Sequence, residues 1–390
     1  YMKGEERRVR FFGFFALCVS TTVGLSFAEN LLTFFIFYEM LTICTYPLVI
    51  HDETPEAFRA GRKYLTYTLI GGACILIGTV IIYDVADTLS LDSTGILSTE
   101  MGTKTLALIF TLLIGGFAVK AAVMPLHGWL PSAMVAPTPV SALLHAVAVV
   151  KAGVFGILRT VYNVFGVDVL EEVGFTTPLM WIAAFTIVAA SLVAIFQDNL
   201  KRRLAFSTIS QLSYIVLGAA LLTPFAATAA IVHIANQAFA KITMFFVAGA
   251  IQRTTGKTNV HELAGIGYRM PWTMAAFTVA SLSFIGMPLF AGFITKWYLS
   301  LGALEAGEYW VLVVMIASSM LNAAYFLPIV YLAFFKAPPG TTMRVAEARP
   351  TLLISTLVAA AYVIVLGTTA EVLGMPFSLA QAAVHFVFGM

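Results

Sequence analysis

Two lysines stand inside sequence too apolar to sit in water, and that placement limits what the chain can fold into. Residues 117–160 read FAVKAAVMPLHGWLPSAMVAPTPVSALLHAVAVVKAGVFGILRT. Lys120 has no ionisable neighbour within six residues on either side, and Lys151 is flanked by HAVAVV and AGVFGIL. Both ammonium groups are therefore expected deep inside membrane spans. Each costs about 2.5–3.5 kcal/mol to insert there on translocon scales, and such groups are by default candidates for an ion path. Between them Pro125, Pro131, Pro137 and Pro139 remove backbone donors, so the helix that carries Lys120 has to break. Broken backbone is tolerated at membrane depth only where protein or a water-filled cavity covers it. Stretch 104–162 thus reads as a discontinuous helix beside a wet, charged path, the construction that transporters use near the bilayer midplane.

Composition agrees. Apolar residues make up 60% of the 390 and charged residues 11%, with a mean hydropathy of +0.92, far outside the range of soluble domains. The fold class is all-α and polytopic in the membrane. At about 20 apolar residues per crossing, eleven spans fit at 11–28, 30–50, 64–83, 105–134, 137–160, 178–197, 203–222, 226–251, 271–300, 309–335 and 351–370. Almost no length remains for a soluble domain, so redox or nucleotide chemistry would reside on other subunits, and no catalytic centre is expected in this chain. Cys18, Cys44 and Cys74 are isolated in apolar segments and read as small core residues. No GxxxxGK[ST], strand-to-helix G-x-G-x-x-G or metal-ligand cluster occurs, so nothing indicates a nucleotide, flavin, haem, iron–sulfur or metal cofactor, or nucleic acid. The chain begins at Tyr1 rather than Met, with a span almost at once, and reads as the C-terminal part of a longer protein or as one half of a split one.

With eleven spans, sixteen of the 22 Lys and Arg fall on the face of the N-terminus, Lys3, Lys201, Arg253 and Arg344 among them. Only Lys104 and Arg159 fall on the opposite face, and Lys120, Lys151, Lys241 and Lys296 lie within spans. That asymmetry supports the count of eleven and a cytoplasmic N-terminus; the expected location is the cell's inner (plasma) membrane.

Breaks recur. The fourth span is interrupted at Pro125 and Pro131, and the ninth carries SFIGMPLFAGFITKWYL at 283–299, with Gly286, Pro288 and Gly292 crowded together. Residues 11–162 and 178–335 therefore form two five-helix units, each with a broken fourth helix, near 125–131 and near 286–292. A lead-in occupies 1–10, and a loop, a last span and a tail fill 336–390. Five is odd, so the second unit enters the membrane from the opposite side to the first, the inverted-repeat pattern of transporters.

Glu39, with no charged neighbour between Glu29 and His51, sits near mid-span. A lone buried carboxylate stays charged only beside a cation, and Lys120 is the natural partner, either in a relay or as a permanent structural pair. His145 precedes Lys151 by six residues, which does not put them on one face of an ideal helix; a bridging water would connect them. His233, Gln237 and Lys241 are spaced by fours and share a face. Such a stripe reads as a hydrated proton wire, because imidazole both donates and accepts near neutrality. The bland alternative is a histidine satisfied by a neighbouring helix's carbonyl. Lys296 follows the second break; its tip either snorkels to an interface or lines the path. His127 beside Pro125, Gln237, and His51 in the polar loop His51, Asp52, Glu53, Glu56 are candidates for cavity lining or for the entrance. Lys201, Arg202 and Arg203 read as topology anchors. One carboxylate and four lysines spread over both units point to ion or proton translocation, since lysine is the cation whose pKa moves most readily on burial. A small-solute transporter would need a pocket rather than a row.

These residues resemble the antiporter-like subunits shared by respiratory complex I, membrane-bound hydrogenases and Mrp-type cation/proton antiporters. The likeness covers nearly the whole chain. It is carried by FFIFYEMLTICTYPLV around Glu39, by KAAVMPLHGWLPSAMVAPTPVSALLHAVAVVKAGVFGILR, by DNLKRRLAFSTISQLSY and by GMPLFAGFITKWYLSLGALEAG; KWYL and GKTNVHELAGIGYRMP look most like the D-type Mrp subunit. The resemblance implies two inverted five-helix repeats around a hydrophilic axis, with Glu39 and Lys120 as the ion pair. It also implies that Lys151 and Lys241 are relay lysines, His145 and His233 accessory relay residues and Lys296 the terminal lysine. Partners would be other integral membrane subunits, further antiporter-like chains included, with H+ and Na+ as the ions moved. Members of this family usually carry about three more helices before the first one here, and the long lateral C-terminal helix of the most distal complex I subunit is not read in this sequence.

Overall fold

A computed structural model describes residues 1–2, 4–92, 94–336 and 346–390. Lys3 and Arg344, placed above on the N-terminal face, lie outside the described residues, as do residues 337–345 of the loop before the last span. Within the described residues the chain is helical nearly throughout, and nine helices are long and apolar enough to cross a membrane. In order these are α1 (Arg8–Ser26), α2 (Leu31–Val49), α3 (Pro55–Ala86), α4 (Thr103–Ala121), α5 (Thr138–Phe165) and α6 (Thr176–Ile195), joined through α7 (Leu200–Ala220) to α8 (Pro224–Thr255). After them come the shorter α9 (Pro271–Ile285) and α10 (Ala291–Glu305), then α11 (Tyr309–Phe334), α12 (Pro350–Thr368) and the short α13 (Pro376–Phe388). Of these, α7, α9, α10 and α13 are outside the nine.

The breaks fall close to the glycines and prolines that suggested them. α4 stops at Ala121, with Ala122 left-handed at φ 56°, three residues ahead of Pro125, and only short helical turns such as Trp129–Ser132 follow. α9 stops at Gly286, φ 93°, and α10 starts five residues later, with Leu289 also left-handed at φ 75°. α5 is irregular too. Its turns at Leu143–Val147 and Thr160–Phe165 are widened to π geometry, a distortion that recurs at functional sites.

The core is not the most apolar helix. α7 carries Ser207, Thr208, Ser210, Gln211 and Ser213, all at 0–1% exposure, and α6, α8 and the end of α5 enclose it. α1, α11 and α12 sit outside and turn phenylalanines, isoleucines and valines toward the hydrocarbon.

At one end of the bundle the N-terminus meets the loops after α2, α4, α6 and α8. Arg10 and Arg7 reach Glu53, both at 2.5 Å; Arg253 pairs with Glu5; Lys63 donates to Ser132 at 3.2 Å and Lys201 to the Ala136 carbonyl at 2.8 Å. At the other end the chain turns between α1 and α2, after α3 and around α5 to α6.

One device appears twice, at opposite ends. Asn30 caps α2 and pairs as an isolated antiparallel bridge with Ser90 beyond α3; Asn199 caps α7 and pairs in the same way with Asn259 beyond α8. A shift of 169 residues carries Asn30 onto Asn199, Ser90 onto Asn259 and Pro55 onto Pro224. The third helix of each set has 32 residues and opens on Thr-Pro.

Candidate functional site

Each buried lysine has a different seat. Lys120, in the last turn of α4, is fully buried and donates to the Tyr38 carbonyl of α2 at 2.5 Å, with its Nζ 3.4 Å above the Tyr38 ring. Glu39 is the next residue of α2, and its Oε1 is buried without a hydrogen-bond partner. The two charges are electrostatic neighbours, but no ion pair joins them among the described residues. Gly72 of α3 makes this possible: the Glu39 carboxylate occupies the space that a Cβ there would need.

Lys151, one helix on, is 6% exposed and its Nζ has no protein partner within hydrogen-bonding distance. His145, in the widened turn of α5, is fully buried with both ring nitrogens unpartnered; its carbonyl accepts from Gln237 Nε2 at 3.4 Å. The face His233, Gln237, Lys241 of α8 is buried along its whole length, at 3%, 0% and 0% exposure. Lys241 donates to Ser207 Oγ and lies 4.5 Å from the Phe284 ring. His233 Nδ1 is 3.0 Å from Thr295 Oγ1, and its Nε2 is unpartnered. Lys296 does not snorkel. Its Nζ turns back across the break to the Ile285 carbonyl at 2.9 Å and to Ser319 Oγ at 2.6 Å, so a cation sits at the C-terminal end of α9, where a helix favours one.

His127 is half-buried on the first break, with Nδ1 unpartnered and its ring 6.1 Å from Phe206. His51 is buried in the loop after α2 against Phe11, ring centroids 5.3 Å apart. Burial, helped by the Arg10 guanidinium, holds its imidazole below the usual range. Nearby, a cavity of 380 Å³ is lined by Glu5, Asp52, Lys201, Gln252 and Arg253. Thr138 donates to Gln252 Oε1 at 3.1 Å, and Ser141 and His145 follow it along α5 with unpartnered buried atoms.

Sequence reasoning missed the seats themselves: the Tyr38 carbonyl, Ser207, Thr295, Ser319 and the space at Gly72. The run STISQLSY at 207–214 was the available signal, since hydroxyl and amide groups filling every face of a helix need partners around it. Lys201 and Arg203 are more than charges at a surface. Arg203 is 8% exposed and donates to the carbonyls of Ile195, Gln197 and Tyr325.

A polytopic helical bundle threaded by buried lysines, histidines and hydroxyl groups defines an integral membrane protein with a polar interior axis. The chain belongs to the family described as NADH:quinone oxidoreductase/Mrp antiporter, TM, which matches it over residues 28–322. It is 33% identical over 387 residues to NADH-quinone oxidoreductase subunit N of Desulforudis audaxviator, covering 94% of this chain and 76% of that one. It is 28% identical over 372 residues to the D-type chain of the Na(+)/H(+) antiporter of Alkalihalophilus pseudofirmus, covering 95% and 75%. A chain of the membrane-bound sulfane sulfur reductase, an archaeal respiratory membrane complex, superposes with a TM-score of 0.89 at 28% identity, covering 99% of this chain and 78% of that one.

Proposed function

We propose that this chain is a proton-translocating, antiporter-like subunit of a multisubunit membrane complex. The observation that carries the reading is the polar series Glu39, Lys120, Lys151, Lys241 and Lys296, with His145, Gln237 and His233 between, of which all but the partly exposed Glu39 and Lys296 are buried and in which several donors and acceptors have no protein partner. Buried polar groups of that kind are served by water, and lysine, imidazole and water together pass protons. A proton enters beside Lys201 and Asp52, passes Thr138 and Ser141 to His145, moves along the lysines and leaves through the other half of the molecule. Glu39 and Lys120, neighbours without a closed ion pair, form the switch that couples each step to an adjacent subunit.

Residues 11–162 and 178–335 are, in this reading, two five-helix units related by inversion. The repeated asparagine device at opposite ends supports it, as does the 169-residue shift. Counting α7 as one crossing and α9 with α10 as another brings the nine apolar helices to eleven spans. The basic N-terminal end faces the cytoplasm and the membrane is the inner one.

The driving force is exchange of sodium for protons in a Mrp-type assembly, beside other antiporter-like chains. A second reading is a proton- or sodium-pumping arm of a redox complex, hydrogenase-like or complex I-like. It is favoured by the higher identity to the quinone oxidoreductase relative, 33% against 28%. Mass spectrometry of the gently solubilised native complex separates them. Small membrane subunits and further antiporter-like chains support antiport; iron–sulfur or quinone-reactive subunits support the redox arm and contradict the first.

A further inference from the structure

On the flank of the bundle a crevice of about 480 Å³ lies between α1, α5, α8 and α13. Leu25, Phe155, Ile231, Ala238 and Leu379 make walls that are almost wholly apolar, and Leu379 and Val147 at the rim are 58% and 39% exposed, so the opening faces hydrocarbon. Among the described residues Lys151 is the one charged side chain in its lining, at 6% exposure and with Nζ unpartnered. A second cavity of equal size shares Phe155, Ile231 and Ile234 and runs on toward Arg159, about 12 Å along the helix from Lys151 at 1.5 Å per residue. His233 and Lys241 of α8 are electrostatic neighbours of Lys151, and at the far end of the second cavity Arg159 is accompanied by the carboxylate of Asp92.

These volumes lie in the range of small-ligand pockets, roughly 300–1,000 Å³, but the lining selects sharply. A small hydrated anion would lose its water against apolar walls, and an alkyl lipid without an acidic proton would leave the buried amine with no group to pair with. An alkyl chain ending in a carboxyl group satisfies both demands. We propose that the crevice binds a long-chain carboxylic acid, with the carboxyl on Lys151 and the chain lying past Phe155 toward Arg159. The acid enters neutral, because a carboxylate is costly in hydrocarbon. Its O–H bond breaks, the proton forms the third N–H bond on the neutral Lys151 amine, and a carboxylate–ammonium pair remains. The functional consequence rests on the relay reading: Lys151 so paired cannot hand its proton on, and transport stops.

The test uses the native complex in its membranes and palmitic acid carrying a photoreactive diazirine, with labelled peptides read by mass spectrometry. Label is expected on α5, α8 and α13 around the crevice. Unlabelled palmitic acid is expected to displace it at least about tenfold better than hexadecanol, the ratio that ~1.4 kcal/mol of head-group pairing gives. Ala238→Trp, which fills the crevice, and Lys151→Met, which removes the cation, should each abolish the label, and Ala238→Trp should keep proton transport while becoming insensitive to the acid. Equal displacement by the alcohol, label surviving in Lys151→Met, or no label at the crevice would overturn the proposal. Labelling needs no turnover, so label at the crevice in a complex whose proton transport the acid leaves unchanged would refute the relay role of Lys151 and leave the site standing.

Discussion

Gly72 is where one missing side chain decides the position of another. The Glu39 carboxylate fills the space of its absent Cβ, and the 169-residue shift that relates the caps carries Gly72 onto Lys241 and Tyr38 onto Ser207. Both members of the second set lie in one contact: Lys241 donates to Ser207 as Lys120 does to Tyr38. Gly72→Ala should therefore push Glu39 aside. Proton transport in vesicles is expected to fall by roughly tenfold, a barrier change of ~1.4 kcal/mol, with the complex still assembled. Gly115→Ala, where nothing lies within 4 Å, should leave transport unchanged. At this scale the ionisable residues were legible in the sequence, because a charge in an apolar run announces itself. Their seats were not. A backbone carbonyl such as that of Tyr38 leaves no trace in residue type, and Gly72 reads like any small residue of a packed helix.

At the scale of elements the asparagine caps carry the argument. Asn30 accepts from Thr33 N at 2.8 Å and Asn199 from Arg202 N at 3.2 Å. Alanine at either position should lower the melting temperature of the purified complex, each by the ~0.5–2 kcal/mol of a lost cap. The double variant should show the sum, since sites at opposite ends do not couple. The loop after α2 supplies a pH test. The hydrogen bond from Arg10, with the Arg7 charge beside it, holds the Glu53 carboxyl below the usual range. A depressed folded value means the stability is present above the unfolded value and lost as pH falls through the folded one. Proteolysis at residues 50–54 should therefore rise as the solution is made acid, modestly because the pair is exposed, and Glu53→Gln should show the higher rate at every pH. Apolar runs and Gly/Pro clusters located the helices and both breaks. The central place of α7 is less legible, because KRR at its start looks like a surface anchor while its hydroxyl-rich body lies at the centre. The helical form of α13 also went unread, its thirteen residues being too few for a crossing.

For the whole molecule, all-helical membrane architecture followed from composition alone, whereas the shift of 169 residues needed the structure, since Asn, Thr-Pro and helix length survive where most side chains have changed. These levels meet in one claim, that lysines spread across the interior of the bundle carry protons. It is tested most directly by reconstituting the native complex in vesicles and following acidification with a pH-sensitive dye, for the unaltered chain and for Lys120→Ala. The account predicts that the variant assembles with its full set of subunits and moves protons at no more than a few per cent of the unaltered rate, on the order of 2 kcal/mol in barrier. Normal acidification by a correctly assembled Lys120→Ala complex would contradict it.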